Sequence, residues 1–287
     1  MVWPNFFIVG APRSGTTSLY EYLKRVPEIH MSPVKEPNYF SLSLDLNFLL
    51  TTPIREEVNY LKLFKNAKNK KAIGEASSNY LWDVKAPELI SKTIPKAKII
   101  IILRNPIERA YSHYLMHISN GSENRSFKEV IQEAQKPTTN DYVRRVIEAG
   151  FYNKQILNYQ KFFPKKQIKI FFFQDFKENT EQVIKDILGF LEINSSIPNN
   201  LETKYNQYSV PRGKFSSSVL SNKMIKNIGK NLLSESIGTY FIKKIFNKKV
   251  SKPNLDATEK SVLEKIYKND SQSLQKTLGQ RIEWDFL

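Results

Sequence analysis

The sequence predicts an α/β protein in three layers: a central parallel sheet, helices on both faces, and a helical C-terminal extension. Three observations carry this. Short apolar runs recur at residues 6–9, around 72–74, at 99–103 and at 168–173. Runs without polar alternation are buried on both faces, which is the habit of parallel strands. Helical patterns fill the gaps between them, as a parallel sheet requires. The first run ends at Gly10, and a turn carrying Pro12 and Gly15 leads directly into an amphipathic segment. Strand, tight turn and helix N-terminus together form a P-loop-like core, in which backbone N–H groups and the helix dipole face an anion.

Each element has its own warrant. The three later runs follow basic turns at 68–71, 96–98 and 165–169. Helical patterns occupy 17–25, 86–93, 106–118, 151–163 and 179–191, with Pro106 suited to a first helical turn. Residues 41–57 show no clean period and read as an irregular loop. Turn-rich breaks between helices fall at 121–125 and 135–141, and the Asn- and Ser-rich stretch 193–210 reads as a long loop. Residues 256–278 repeat Val262, Ile266, Leu274 and Leu278 at helical spacing and end near Trp284.

At 287 residues the chain is long enough for one large domain, expected as a core over 1–217 and a basic helical extension over 218–287. The formal charge of +16 favours anionic partners, without choosing among them. There are no cysteines, which excludes disulfides, thiolate zinc sites and a cysteine nucleophile. With three histidines and no cysteine, no metal is expected. No signal-peptide pattern is read at the N-terminus, and the default expectation is a cytoplasmic protein.

Three cationic segments stand near predicted strand ends. Arg13 sits inside the first loop among Ser14, Gly15, Thr16, Thr17 and Ser18; its guanidinium is a planar fork matched to phosphate or sulfate. The spacing resembles G-x-x-x-x-G-K-[ST], but Thr16 replaces the lysine. Arg104 closes the third run, and Ser112 lies two turns into the following helix, placed to share one anion with it. Arg109 reads as solvated or salt-bridged, and His113 as packing. Arg212-Gly213-Lys214 is a third cationic turn. Three such loops suggest a ligand with two separated phosphate groups.

These residues resemble a family. The segments 12–19 and 103–112, with 212–214, are similar to the signatures of sulfotransferases that use 3′-phosphoadenosine 5′-phosphosulfate (PAPS), the bacterial and Golgi-type members above all. Segments 35–40, 74–81 and 150–152 add to the likeness, which spans nearly the whole chain. The resemblance implies that residues 13–18 hold the 5′-phosphosulfate. It implies that Arg104, Ser112, Arg212, Gly213 and Lys214 hold the 3′-phosphate, and that Tyr152 borders the adenosine. It also implies an enzyme that passes a sulfuryl group to a hydroxyl or amine of a glycan, lipid or small metabolite, leaving 3′,5′-diphosphoadenosine. Glutamate-using branches place their base a little over twenty residues after the loop cation, where Glu36 stands, with Lys35 beside it. Glu75 is the alternative base, or a group orienting Arg13 or Lys35.

Two other classes stay open on the residues. One is a P-loop kinase or nucleotide triphosphatase, kept alive by Asp175 after the fourth run. The other is a basic binding protein with a degenerate core, motivated by eight lysines against Glu235 over 218–252. Sparse aromatics there (Phe215, Tyr240, Phe241, Phe246) argue against a nucleic-acid partner. A plain surface helix, a lid and a peripheral membrane contact are its three readings. The oligomeric state is not legible.

Overall fold

The computed structural model describes residues 2–43, 51–136, 141–197, 201, 209–211, 247–249 and 252–287. Along the chain run β1 (Phe6–Gly10), α1 (Thr16–Leu23), β2 (Ile29–Met31), α2 (Glu57–Lys62), β3 (Ala72–Ala76), α3 (Ala86–Thr93) and β4 (Lys98–Leu103). Four helices follow: α4 (Pro106–Ser119), α5 (Phe127–Ala134), α6 (Asp141–Glu148) and α7 (Tyr152–Gln160). Then come β5 (Ile168–Phe172), α8 (Phe173–Glu178), α9 (Thr180–Phe190), β6 (Ser209–Pro211), β7 (Asn247–Lys249) and α10 (Ala257–Leu278).

The main sheet has the order β2-β3-β1-β4-β5, and every pairing in it is parallel. The expected three-layer α/β/α architecture is what forms. The first strand stands in the middle, with β3 on one side and β4 on the other. Such a reversal opens a crevice at the carboxyl ends of the strands, where open α/β sheets take their ligands.

The apolar runs divide by parity. Phe7, Val9, Ile99, Ile101 and Leu103 enter one core with α3, α7, Leu274 and Trp284. Phe6, Ile8, Ile100 and Ile102 enter the other, against α1 and α9. Side chains alternate across a strand, so a continuous apolar run supplies both cores at once. A third cluster joins α4, α5, α6 and α10.

Residues beyond the expected pattern explain themselves locally. β2 is a three-residue edge strand with His30 in its middle, too short to show a period. α5 lies between the two turn-rich breaks and starts with a reciprocal Ser126–Glu129 capping box. α10 is capped by Asp256, which accepts from the Thr258 N–H at 2.8 Å, and ends at Gly279 with φ 67°. Its Leu263, Tyr267 and Leu274 are fully buried, so this helix is built into the cores of the sheet domain. β6 and β7 form an antiparallel pair, and β6 lies against α4.

Candidate functional site

The first loop is closed by the turn that follows β3. The Leu81 N–H donates to the Val9 carbonyl at 2.8 Å, laying that turn across the end of β1. Gly10 permits the approach: a Cβ there would sit 2.6 Å from Leu81 Cβ and 3.1 Å from the Ser78 carbonyl oxygen. Gly15, at φ 90°, supplies the left-handed residue that opens α1. Ser14, between the two glycines, is fully buried, and Thr16, just after Gly15, nearly so. Thr17 and Ser18 are half-buried in the first turn of α1.

Arg13 and the exit of β4 meet. The Arg13 Nε donates to Ser112 Oγ at 3.3 Å, and Arg104 Nη1 donates to the Arg13 carbonyl at 3.3 Å. Local sequence explains the meeting. Asn105 caps α4 by accepting from the Ile107 N–H at 3.0 Å, with Pro106 in the first turn, so α4 rises directly from the strand end. Arg104 is held further by Glu108 at 2.9 Å and by the face of Phe173, 4.7 Å from the ring centre.

Arg109 is a correction. Expected in solvent or a salt bridge, it is fully buried; its guanidinium donates to the Val146 carbonyl and lies 3.2 Å from His113 Nδ1. A guanidinium only donates, so His113 presents a neutral ring nitrogen. Burial, then His117 and Arg109, push that imidazole well below its ordinary pKa. Burial, then Arg104 and Arg109, draw Arg13 down to about 10, which leaves it cationic at neutral pH. Lys252 joins them, its ammonium 5.3 Å from the centre of the Tyr111 ring and its pKa lowered by burial and then by Arg104. Among the described residues, Glu108 is the carboxylate that pairs with this group. Cations crowded to this degree, beside a helix N-terminus, make an anion site.

The carboxylates sit on the other flank of the loop. Glu36 adopts φ 60°, and its N–H donates to the Ala76 carbonyl at 2.9 Å. Its carboxylate accepts from the Ser78 N–H at 2.9 Å, the Ser78 hydroxyl at 2.7 Å and Lys35 Nζ at 2.6 Å. It is thus fixed by the turn that covers Gly10, and its side chain keeps 16% exposure. Glu75 is fully buried and accepts from Tyr60 and Tyr80 at 2.8 Å each and from Ser77 at 2.6 Å. Burial raises its pKa to about 7. Its hydrogen-bond partners are Tyr60, Tyr80 and Ser77 rather than Arg13 or Lys35, and no face of it is open to an acceptor.

The sequence matches the model of the sulfotransferase domain over residues 4–279. The chain belongs to the sulfotransferase-domain family. Carbohydrate sulfotransferase 15 of Mus musculus is 28% identical over a match covering 66% of this chain and 44% of that protein. Bifunctional heparan sulfate N-deacetylase/N-sulfotransferase 4 of Mus musculus is also 28% identical, covering 66% of this chain and 22% of its own length. The membrane-associated sulfotransferase kil1 of Dictyostelium discoideum is 32% identical across 43% of this chain. The chain therefore spans less than half the length of these curated relatives. A solved sulfotransferase from Alicyclobacillus acidocaldarius shares the fold, with TM-score 0.73 at 24% identity and 98% of both chains covered.

These relatives correct the expectation of a cytoplasmic protein, since one of them is membrane-associated by name. Among the described residues no helix is long and apolar enough to cross a membrane.

Within the sulfotransferase domain the other sequence candidates fall as follows. Tyr152 is fully buried; its hydroxyl donates to the Arg104 carbonyl at 2.9 Å, so it braces the end of β4. Arg212, Gly213 and Lys214 lie outside the described residues, as does most of 218–252. Three residues escaped sequence reasoning. Ser78 had a visible signal, lying in a segment already singled out beside β3. Lys252 ended the basic stretch. Arg109 had none, because only the fold shows that α6 buries it.

Proposed function

We infer that this domain transfers a sulfuryl group from PAPS to an acceptor hydroxyl or amine of a glycan, lipid or small metabolite. One observation carries the reading: Arg13, which donates to Ser112, and Arg104, which donates to the Arg13 carbonyl, come together from two separate strand ends, with Glu108 the carboxylate paired to them among the described residues. The cationic hydroxyl-rich loop fits a phosphosulfate, and Arg104 with Ser112 fits a second phosphate. The glycan acceptors named for the relatives agree with a hydroxyl-bearing partner.

In this mechanism residues 13–18 orient the donor's 5′ end, and Arg104 and Ser112 hold its 3′-phosphate, with Arg212, Gly213 and Lys214 closing over it. Glu36 accepts the acceptor's proton as the acceptor atom bonds to sulfur. The bond from sulfur to the bridging oxygen breaks, its electron pair staying with 3′,5′-diphosphoadenosine, and Arg13 offsets the charge that grows there. Lys35 fixes the Glu36 carboxylate. Glu36 is the base because its carboxylate is anchored and partly open, whereas Glu75 is sealed.

The test measures 3′,5′-diphosphoadenosine binding by calorimetry and sulfate incorporation across an acceptor library. Glu36→Gln should bind the nucleotide like the wild type and lose roughly 10²-fold or more in turnover. Near-normal turnover in that variant removes Glu36 from the mechanism. A wild-type chain that does not bind the nucleotide removes the donor assignment.

A further inference from the structure

Glu75 is a buried acid to which sulfuryl transfer, as derived above, gives no task. It stands in β3 between Gly74 and Ala76, in a strand buried along its whole length, where an apolar side chain would pack at less cost. Its hydrogen-bond partners are three hydroxyls, with no cation among them. Tyr60 and Tyr80 donate to one carboxyl oxygen at 2.8 Å each, and Ser77 donates to the other at 2.6 Å. Two of these hydroxyls carry the contact onward. The Asn38 N–H donates to Ser77 Oγ at 3.1 Å, and the Phe40 N–H donates to the Tyr80 hydroxyl oxygen at 3.2 Å. A backbone N–H only donates, so each hydroxyl accepts from the chain and turns its own proton to Glu75.

Both relays end on the segment that carries Glu36. Its backbone is unfavourable: Glu36 at φ 60° and Asn38 at φ 51° are left-handed without being glycine. Such a conformation persists only where its surroundings over-determine it. Here alternate residues are each pinned to residues 76–80. The Glu36 N–H donates to the Ala76 carbonyl, the Asn38 N–H to Ser77 and the Phe40 N–H to Tyr80. Glu75 joins the Ser77 and Tyr80 hydroxyls from beneath, and Ser78 of the same turn grips the Glu36 carboxylate.

We propose that Glu75 is a positioning residue for sulfuryl transfer: acting through Ser77 and Tyr80, it fixes the backbone that presents Glu36 to the acceptor. The proposal rests on the sulfuryl-transfer reading and on Glu36 as its base. It has a pH signature. The groups that face Glu75 are Tyr60 from α2, Ser77 and Tyr80 from the turn, Tyr159 from α7 and the Glu36 charge. An ionised carboxylate accepts from all three bonded hydroxyls. A protonated carboxyl must donate its own proton to one of them, which then turns its proton away. The relay is therefore complete above about pH 7, where Glu75 ionises, and lacks one link below it. Glutamine, with an amide N–H in place of the acid O–H, lacks that link at every pH.

The experiment has two arms on the full chain. The first follows release of 3′,5′-diphosphoadenosine from PAPS against pH, with water and with the library's acceptors, in the wild type, Glu75→Gln and Ser77→Ala. At about pH 8 Glu75→Gln should turn over roughly tenfold or more slowly, and the two proteins should converge by about pH 6. A lesion of the fold lowers turnover alike at both pH values, and equal loss at both overturns the proposal. So does a variant that keeps wild-type turnover throughout. The double variant Glu75→Gln/Ser77→Ala should lose less than the product of the two single losses, and a loss equal to that product overturns the relay. The second arm needs no acceptor and no variant: amide NMR shifts of Asn38 and Phe40 in the wild type should titrate together at about pH 7. Amides that do not respond overturn the proposal even where Glu75→Gln fails to fold. If no acceptor, water included, takes sulfate, the transfer reading falls, and the amide titration still decides whether Glu75 holds the segment.

Discussion

Replacing Glu75 by glutamine should change the protein's response to pH in a calculable way. The carboxyl is fully buried beneath Glu36, among Tyr60, Tyr80 and Ser77. Burial is the largest influence and raises its pKa from 4.5 to about 7; the three hydroxyl donors oppose that rise, and the Glu36 charge adds to it. Below about 4.5 the folded and unfolded chains both hold the proton, and the group contributes no pH dependence. Between 4.5 and about 7 the folded protein keeps a proton that the unfolded chain has released, so stability falls as pH rises. Above about 7 the loss is complete. That interval, at roughly 1.4 kcal/mol per pH unit, amounts to about 3 kcal/mol. Glu75→Gln cannot ionise and lacks this slope, whatever constant cost its altered hydrogen bonds impose. Urea unfolding of both proteins at acidic and mildly alkaline pH measures the effect. The stability of the wild type relative to the variant should drop by about 2–3 kcal/mol between pH 5 and 8.5. A difference that stays constant across that range refutes the argument that Glu75 is held as a buried, partly protonated acid.

Three other substitutions follow from the geometry. Arg104→Ala removes a charged donor from the anion cluster and should weaken 3′,5′-diphosphoadenosine binding by roughly 10–100-fold in calorimetry, with a shallower dependence on salt. Its stability should change little, because the lost pair leaves Glu108 largely in solvent. Gly10→Ala puts a methyl group 2.6 Å from Leu81 Cβ and should cost about 1–3 kcal/mol in thermal or urea unfolding, while turnover drops because Ser78 and Glu36 shift with the turn. Tyr267→Phe removes the hydroxyl that donates to the Ile147 carbonyl at 2.7 Å in the interior, leaving that oxygen the Gly150 N–H at 3.0 Å, and should cost about 1 kcal/mol, read as a lower unfolding midpoint.

Much of the sheet was legible because its strands are buried on both faces, and burial writes itself as unbroken Ile, Phe and Val. The loop was legible because Gly10 and Gly15 answer to strict local constraints, one a close approach and the other a left-handed φ. Arg104 and Ser112 were legible through the Asn105-Pro106 start of α4, which fixes where the helix goes. What stayed hidden depends on contacts between distant segments. Arg109 looks like any helical arginine until α6 is laid over it. Glu75 looked like a candidate base because a strand end is an open place in sequence terms, and only the arrival of Tyr60 from α2 closes it. Glu36 preceded by a lysine and followed by proline gave no hint that Ser78 grips it from another strand's turn.

The central place of β1 has a consequence for how the domain is made. Phe6 finds its neighbours at Gly74 and Lys98, so on the ribosome the segment Phe6–Gly10 emerges long before anything it can pair with. Until β3 and β4 have left the exit tunnel, four adjoining apolar side chains stay without a home and are open to chaperones or to stray association. The cationic cluster around Arg13 and Arg104 thus comes into being late and all at once, when the chain beyond Arg104 is free to fold.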